Sequence, residues 1–403
     1  MNLRQTRLHI LHKPGDLNTR AATGVSLHCH TLHSKEILDF IPYYATRIPV
    51  LSYFWRKECR RYLQREGRLP NFTTGYWEPP LTGEQVFQSE VDQMNAAGLD
   101  AIVSITDHDC IDANLELNNT IPGTIAPISM EWTVPFRCAF FHLGIHNLPP
   151  QNAVEIKERL LAYTYDPELK NDSVLHDIFS MLNSMPEVLI IFNHPVWDIE
   201  MIGQELHMKQ LDHFVKEHGK WIHALEINGF RSWSENKQVI DMAESLGFPL
   251  VSGGDRHCCN HNTMINLTDS KTFAEFVDEI RVDRHSEVVI MPEYHVPLAY
   301  RQVRSMAQIL TDYPEFPAAR QRWIDRVVVD LEDNEGLQPL SYHWRDGSPG
   351  WTGWLMRALG ICSDERLQGL YHLITSREDI VPRQPAAANP APRIGRSPIT
   401  IDG

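Results

Sequence analysis

The chain has 403 residues, of which 42% are apolar and 22% charged, so it can bury a large core as a folded, soluble protein. Its net charge of −15 opposes binding to nucleic acid or to anionic lipid, because both require clustered cations. No run reaches the roughly 18 apolar residues that span a membrane, and neither a secretory leader nor a cysteine framework is visible. We therefore expect a cytoplasmic protein with reduced thiols, no membrane contact and a small-molecule partner.

Short apolar runs along the chain predict seven strands, at 24–30, 101–106, 125–132, 138–146, 188–194, 223–230 and 248–254. Helical patterns separate several of these runs. The pattern at 82–98 begins with a capping box formed by Thr82 and Gln85 and ends at Gly98, and another helix is predicted at 234–247. Alternating strands and helices of this kind favour a parallel sheet or a barrel.

A long insertion, at about 31–80, follows the first predicted strand and exceeds the length of an ordinary loop between a strand and a helix. Its segment 47–68 is rich in basic residues, namely Arg47, Arg56, Lys57, Arg60, Arg61, Arg65 and Arg68, against Glu58 and Glu66. We interpret the segment as an amphipathic helix that packs Leu51, Phe54 and Trp55 on the barrel. A lid, a flap that attracts phosphate and an interface are the alternatives.

The C-terminal part has a helical pattern from 297 to 382, in runs at 298–310, 319–332, 350–360 and 365–374. Because it carries little site chemistry, we interpret it as a helical appendage to a domain at 1–296. The last residues, 383–403, are rich in Pro, Ala and Gly, which predicts a tail without stable structure of its own.

Histidines and acidic residues collect in or at the ends of the predicted strands. His28 and His30 project from the same face of the first strand, while Cys29 faces away, because strand side chains alternate. The other strands contribute Asp107, His108, Asp109, Glu131, His142, His194, Asp255 and His257. Each residue alone has a structural explanation, such as a helix cap or a core hydrogen bond. Together they predict a metal site, since buried carboxylates are costly unless they are paired or coordinated.

Taken in chain order, these motifs resemble the PHP family, named for polymerase and histidinol phosphatase, over residues 24 to about 290. The matching segments are HCHTLHS (28–34), TDH (106–108), Glu131, His142, the HP pair at 194–195 and GGDRH (253–257). Members of this family are metal-dependent phosphoesterases. The resemblance implies an α/β fold, a distorted seven-stranded (β/α)7 TIM-like barrel, here with an insertion after its first strand.

The resemblance also implies two or three divalent metal ions, and histidine and carboxylate ligands suit Mn, Fe or Zn. The implied ligand sets are His28, His30, Glu131 and Asp255 for the first ion, Glu131, His142 and His194 for the second, and His108 and His257 for the third. A further ligand of the third ion falls on Lys35 or Glu36, and Glu36 is predicted because protonated lysine cannot bind a metal. Ser26 and Gly254 depart from the family's usual Asp and small hydroxyl residue.

The implied activity is hydrolysis of a phosphate ester of a small molecule or nucleotide by a hydroxide that bridges two metal ions. His108 is a candidate catalytic residue, and Asp107 and Asp109 are candidates for orientation or proton transfer. Arg256 would either grip a substrate phosphate or form a surface salt bridge. Two other functions stay open: an amidohydrolase-type enzyme that cleaves carbon–nitrogen or carboxylic ester bonds, and a non-catalytic PHP-like scaffold.

Overall fold

Strands and helices alternate along most of the chain. A computed structural model describes residues 3, 5–17, 19–38, 46, 49–67, 74–120, 126–330, 336–344 and 350–382. The strands in these ranges are β1 (Thr6–Ile10), β2 (Thr23–Ser26), β3 (Glu36–Ile37), β4 (Tyr76–Trp77), β5 (Asp100–Val103), β6 (Met130–Phe136), β7 (Ala139–His146), β8 (Leu189–Phe192), β9 (Ala224–Asn228), β10 (Leu250–Gly253), β11 (Met264–Thr268), β12 (Ser286–Ile290), β13 (Val327–Asp330) and β14 (Leu337–Pro339).

The helices in the same ranges are α1 (Pro49–Glu66), α2 (Gly83–Ala96), α3 (Asp112–Thr120), α4 (Ala153–Tyr165), α5 (Asp172–Asn183), α6 (Gln204–His218), α7 (Trp233–Leu246), α8 (Phe273–Arg281), α9 (Leu298–Ile309), α10 (Leu340–His343), α11 (Gly350–Cys362) and α12 (Gln368–Ile374). The predicted capping box at the start of α2 is confirmed. The hydroxyl of Thr82 accepts a hydrogen bond from the Gln85 amide at 3.2 Å, and the Thr82 amide donates to the Gln85 side chain at 3.0 Å. Gly98 follows with a φ of 78°, which ends the helix as expected.

All seven predicted strands are confirmed, and they lie in two five-stranded sheets, ordered β1-β12-β11-β2-β5 and β10-β9-β8-β7-β6. The pairs β2/β5, β8/β9 and β9/β10 are parallel, whereas β6/β7 and β7/β8 are antiparallel. Only Arg137 and Cys138 separate β6 from β7, so these strands form a tight hairpin, with Arg137 at a φ of 56°. The fold is therefore mixed α/β, as predicted, with mixed rather than purely parallel sheets.

The two five-stranded sheets are joined by main-chain hydrogen bonds at two places. One junction links the segment after β5 to β6, and the other links the segments after β2 and β10. The bonds run from Asp109 N to Glu131 O (2.9 Å), Glu131 N to Asp107 O (3.1 Å), Asp255 N to His28 O (2.9 Å) and His30 N to Arg256 O (2.8 Å). Both junctions lie among the predicted metal ligands.

Helices α5 and α6 cover one face of the second sheet, and aromatic side chains from the helices and the strands fill the space between them. We call this layer the aromatic core, consisting of Trp132, Phe136, Phe141, Phe179, Phe192, Phe214 and Trp221. The rings of Phe179 and Trp221 stack with centroids 5.6 Å apart, and Phe136 meets Phe214 edge-on at 5.1 Å. Such a layer stabilises the fold by apolar burial and by favourable ring geometry.

The region after residue 297 is not purely helical, and the predicted helix at 319–332 is wrong. It contains β13, whose three consecutive valines favour a strand and which pairs antiparallel with β4 and β14. The order β14-β13-β4-β3 therefore unites strands of the insertion and of the C-terminal part in one sheet, which we call the accessory sheet. Helices α9, α11 and α12 agree with the other three predicted runs.

The predicted helix in the basic insertion is present as α1. The side chains of Leu51 and Phe54 lie outside the described part of the structure, as do Arg47 and Arg68, so the packing of this helix stays a prediction. The predicted tail at 383–403 also lies outside the described residues. Among the residues described, no helix has the length and apolar character needed to cross a membrane.

Candidate metal centre

The nine predicted metal ligands lie together where the two five-stranded sheets join. We call this group the His–Glu cluster, consisting of His28, His30, Glu36, His108, Glu131, His142, His194, Asp255 and His257. Six of its members are buried, whereas the side chains of Glu36, His108 and His257 keep exposed fractions of 12%, 16% and 15%. The cluster is thus deep on one side and open to solvent on the side of these three residues.

Glu131 lies at the centre of the cluster, on β6. Its Oε2 atom is 3.1 Å from His28 Nε2 and from His108 Nδ1, and its Oε1 atom is 3.1 Å from His194 Nε2 and 3.3 Å from His142 Nδ1. Burial acts to raise the pKa of this carboxyl group, but the neighbouring His28 and His142 hold the pKa well below its usual value. A carboxylate with imidazoles at both oxygens has the arrangement needed to bridge two cations.

His28 and His30 follow β2 and face each other, with their Nε2 atoms 3.1 Å apart. The Oδ1 atom of Asp255, which follows β10, lies 3.8 Å from the first nitrogen and 3.5 Å from the second. Burial, reinforced by the nearby His257, lowers the pKa of His30 to about 3. The imidazole is therefore neutral, which is the form that binds metals.

Glu36 rather than Lys35 faces the cluster. Its carboxylate lies 3.3 Å from His108 Nε2 and 3.2 Å from His257 Nε2, and it accepts a hydrogen bond from the Ser34 hydroxyl at 2.7 Å. The Lys35 ammonium instead lies 5.1 Å from the centre of the Tyr76 ring. Because Glu36 is part of β3, the accessory sheet places this carboxylate at the open side of the cluster.

Three residues of this region have left-handed backbone, which non-glycine residues adopt rarely. Asp109, His194 and Asp255 have φ values of 52°, 27° and 51°. Each such residue costs of order 1–3 kcal/mol, and such costs are concentrated at functional sites. Two of the three are predicted metal ligands, so the fold spends stability to direct their side chains toward the cluster.

Asp107 and Asp109 hold the chain around the cluster. The Asp107 carboxylate accepts hydrogen bonds from the amide and hydroxyl of Thr31, and its burial raises its pKa to about 6. Asp109 accepts from the Thr133 amide and from the Tyr165 hydroxyl, both at 2.9 Å. These contacts fix the orientation of both carboxylates, and the choice between an orientation role and proton transfer stays a prediction.

Arg256 is neither near the open side of the cluster nor in a surface salt bridge, and both interpretations of it need correction. Its guanidinium turns away from the predicted ligands toward α2, where its Nε atom lies 3.1 Å from Glu90 Oε1. The exposed fractions of these side chains are 4% and 0%. Asp255 and His257, on either side of Arg256, face the cluster. Arg256 therefore points to the opposite side of the chain, where it is buried against α2.

Two neighbours of the cluster were not predicted. Glu226, on β9, has its Oε1 atom 2.7 Å from His28 Nδ1, and its Oε2 atom accepts a hydrogen bond from the His194 amide at 2.9 Å. Arg231 has a terminal nitrogen 3.5 Å from Asp255 Oδ2. An acidic residue inside an apolar strand-like run was the signal for Glu131, and the same signal marks Glu226; nothing local marks Arg231.

The chemistry of the cluster fits divalent transition metals. Two buried nitrogens, Nδ1 of His108 and Nδ1 of His142, have no hydrogen-bond partner among the described residues although both face Glu131. Buried polar atoms of this kind are rare in folded proteins, and a cation supplies what they lack. Mixed imidazole and carboxylate donors suit Zn²⁺, Mn²⁺ or Fe²⁺.

No family model and no curated protein matches this chain. One solved structure that is similar to this chain is an amidohydrolase from Chromobacterium violaceum, with bound sulfate and no metal. Its sequence is 13% identical to this chain and the TM-score is 0.32, and the match covers 59% of this chain and 89% of the amidohydrolase chain. A structure from Bifidobacterium adolescentis, described as a metal-dependent phosphoesterase, has the same identity and TM-score and covers 51% of this chain and 93% of its own. Likeness this low defines neither the fold nor the activity of this chain.

Proposed function

We propose that this chain is a metal-dependent hydrolase that cleaves a phosphate ester of a small molecule or nucleotide. One observation carries the proposal: histidines from β7 and from the segments after β2, β5 and β8 converge on the single buried carboxylate of Glu131. Five imidazoles lie within 3.5 Å of this buried carboxylate, and such a set of nitrogen and oxygen donors has an evident use in holding cations.

The proposed architecture is a distorted seven-stranded barrel of the PHP kind. Strands β2, β5, β6, β7, β8, β9 and β10 would form the ring, with main-chain hydrogen bonds at the two sheet junctions between β5 and β6 and between β10 and β2. These are the seven strands that the sequence predicts. In such barrels active sites lie at one end, where strand ends from the whole ring meet.

Two or three ions of Mn, Fe or Zn would be held by the predicted ligand sets, with Glu131 shared between two ions. Bound ions would supply Lewis acidity toward the phosphoryl oxygens and lower the pKa of a nucleophilic water. The chain itself orients the ligands. Glu226 holds His28 by its Nδ1 atom, so that Nε2 faces the cluster, which is the usual arrangement around a metal-binding imidazole.

Arg231 takes the phosphate-binding role first considered for Arg256. Its guanidinium lies 3.2 Å from the centre of the Trp197 ring, beside Asp255, and its Nε atom is buried without a hydrogen-bond partner among the described residues. A planar cation held against an indole ring retains donors for a phosphate group. Trp77 and Phe230, whose rings lie 5.7 and 6.5 Å from that of His257, add aromatic surface on the open side.

The test begins with the metal content of purified protein and its activity on phosphomonoesters, phosphodiesters and nucleotides. We expect two or three ions per chain and hydrolysis of at least one phosphate ester. Arg231→Met should raise KM for that substrate while the metal content stays unchanged, whereas Arg284→Met, a remote arginine that lies over Phe248, should change neither. Cleavage of amides or lactones alone would show an amidohydrolase-type enzyme instead, and protein that binds no ion after metal supplementation would be a scaffold.

A further inference from the structure

A buried ion pair joins the two candidate ligands after β10 to helix α2. Arg256 lies in the chain between Asp255 and His257, and it contacts Glu90 of α2 at 3.1 Å with both side chains almost fully buried. Burying two charges costs several kcal/mol, which the attraction between them offsets only when further hydrogen bonds satisfy both groups. Any residue at position 256 would separate Asp255 from His257 in the chain, so the spacing of these ligands does not by itself require a buried arginine there.

Arg256 Nε and Glu90 Oε1, which face each other, make no hydrogen bond among the described residues, but other atoms of both groups do. One terminal nitrogen of Arg256 donates to the Ser89 hydroxyl at 3.0 Å and to the Asn260 carbonyl at 3.1 Å. On the other side, the Asn262 amide group donates to Glu90 Oε2 at 3.3 Å. The pair therefore ties α2 to both ends of the segment 256–262, which follows the predicted ligands.

The same position also holds the main chain of the cluster. The Arg256 carbonyl accepts a hydrogen bond from the His30 amide at 2.8 Å, and the Asp255 amide donates to the His28 carbonyl at 2.9 Å. Fixing Arg256 thus fixes the spacing between the ligands that follow β2 and those that follow β10. It also opposes relaxation of Asp255 from its left-handed backbone, with a φ of 51°.

Gly254 belongs to the same network. A Cβ atom at this position would lie 2.4 Å from the side-chain oxygen of Asn262, whose side-chain nitrogen donates a hydrogen bond to Glu90. The small hydroxyl residue that is usual before the Asp of the PHP motif would therefore displace the Asn262 side chain. The absence of a side chain at Gly254 and the presence of Arg256 are two parts of one local arrangement.

We propose that Glu90 and Arg256 are positioning residues, which hold Asp255 and His257 in the geometry that binds the first and third metal ions. This inference rests on the proposed function only in requiring that the cluster binds ions. The second ion, assigned to Glu131, His142 and His194, has no ligand beside this pair. Loss of the pair should therefore weaken two of the sites and spare one.

Titration with Mn²⁺ tests the inference without any substrate, and thiols compete little for this ion. Free Mn²⁺ is followed by electron paramagnetic resonance, and bound metal is counted after gel filtration. In Glu90→Gln and Arg256→Met we expect affinity at the first and third sites to fall about 10–100-fold, the usual range for residues that orient metal ligands, with one tight site left. Arg256→Lys, which keeps the charge, should fall between the wild type and Arg256→Met.

Arg281→Met is the matched control. This arginine donates to the carbonyls of Met185 and Val188 at 2.6 Å, far from the cluster, so its loss should lower the melting temperature and leave Mn²⁺ binding unchanged. If the pair variants behave as this control does, the pair is merely structural and the inference is wrong, while the proposed function stands. Wild-type protein that binds no Mn²⁺ would be titrated with Zn²⁺ and Fe²⁺ in the same way, and failure to bind any of the three ions would overturn the proposed function itself. Should Arg256→Met fail to fold, Arg256→Lys and Glu90→Gln still decide the matter.

Discussion

The aromatic core and the His–Glu cluster are both buried, but opposite chemistry surrounds them. The aromatic core consists of rings packed against rings, so burial itself stabilises it. The cluster contains buried carboxylates, imidazole nitrogens with no hydrogen-bond partner in the described part of the chain, and left-handed backbone, each of which costs free energy. The comparison teaches that the main source of stability is separated from the candidate site: the core stabilises an arrangement that the cluster alone would not maintain.

Strand β9 shows the separation within five residues. Leu225 and Ile227 belong to the same apolar cluster as the aromatic core, whereas Glu226 and Asn228, which alternate with them, contact His28, His194 or Asp255. Successive side chains of a strand lie on opposite faces of the sheet. A single strand therefore supports both regions, and substitutions along it should affect either stability or the site.

The largest effect is expected in the aromatic core. Phe214 is fully buried and contacts the rings of Phe136, Phe141 and Phe192. Phe214→Ala should lower the free energy of unfolding by about 3–5 kcal/mol, because a cavity is added to the lost apolar burial. Urea denaturation measures this change. Metal content per folded chain should stay at the wild-type value, and a loss of metal would contradict the separation of the two regions.

Glu131→Gln should have the opposite effect: a large loss of metal affinity and activity with a smaller change in stability. Since residues that only orient ligands are worth about 10–100-fold in metal affinity or activity, loss of the bridging carboxylate should cost more than about 100-fold in both. Metal analysis and the rate with the best phosphate ester would show it. The unfolding free energy of the metal-free protein should change less than in Phe214→Ala, since an amide of the same shape leaves no cavity. An active, metal-replete Glu131→Gln would exclude the assigned bridging role.

Glu226→Gln is a milder test of the same region. The amide keeps the shape of the side chain but removes the negative charge 2.7 Å from His28 Nδ1, so we expect a 10–100-fold loss of metal affinity. Competition with a chromophoric chelator measures this loss. Val282→Ala, at an exposed position, is the control and should have no effect on metal affinity. Asn236 would not serve as a control position, because its side chain contacts Tyr294 and Asn228. Equal affinities in wild type and Glu226→Gln would mean that Glu226 does not orient His28.

The smallest effect concerns His223, which precedes β9. Burial, followed by the charges of Arg281 and Arg284, lowers its pKa to about 3, whereas the unfolded chain has a value of about 6.5. The unfolded state therefore binds the proton first, and stability falls as the pH drops below about 6.5. Between pH 7 and pH 5.5 the loss should be about 1 kcal/mol. In metal-free protein, His223→Gln should flatten the pH dependence by this amount; an unchanged pH profile would refute the assignment.

Much of the site was predictable because its signals are local in the sequence. The spacing of His28 and His30 follows from strand alternation, and Glu131 stands out as a charge within an apolar run. Glu226 carries the same signal, so it could have been found. Arg231 could not, because its position beside Trp197 and Asp255 depends on how the segments after β8, β9 and β10 meet.

The sequence by itself determined the seven strands, the capping box of α2 and the residue types of the His–Glu cluster, since these depend on periodicity and on the chemistry of neighbouring residues. Only the tertiary structure decided that Arg256 turns inward to Glu90, that residues 327–330 form a strand, and that the accessory sheet carries Glu36 to the cluster. These outcomes depend on contacts between residues distant in the chain. The direction of a long side chain, and the partner of an edge strand, are set by packing that no local pattern contains.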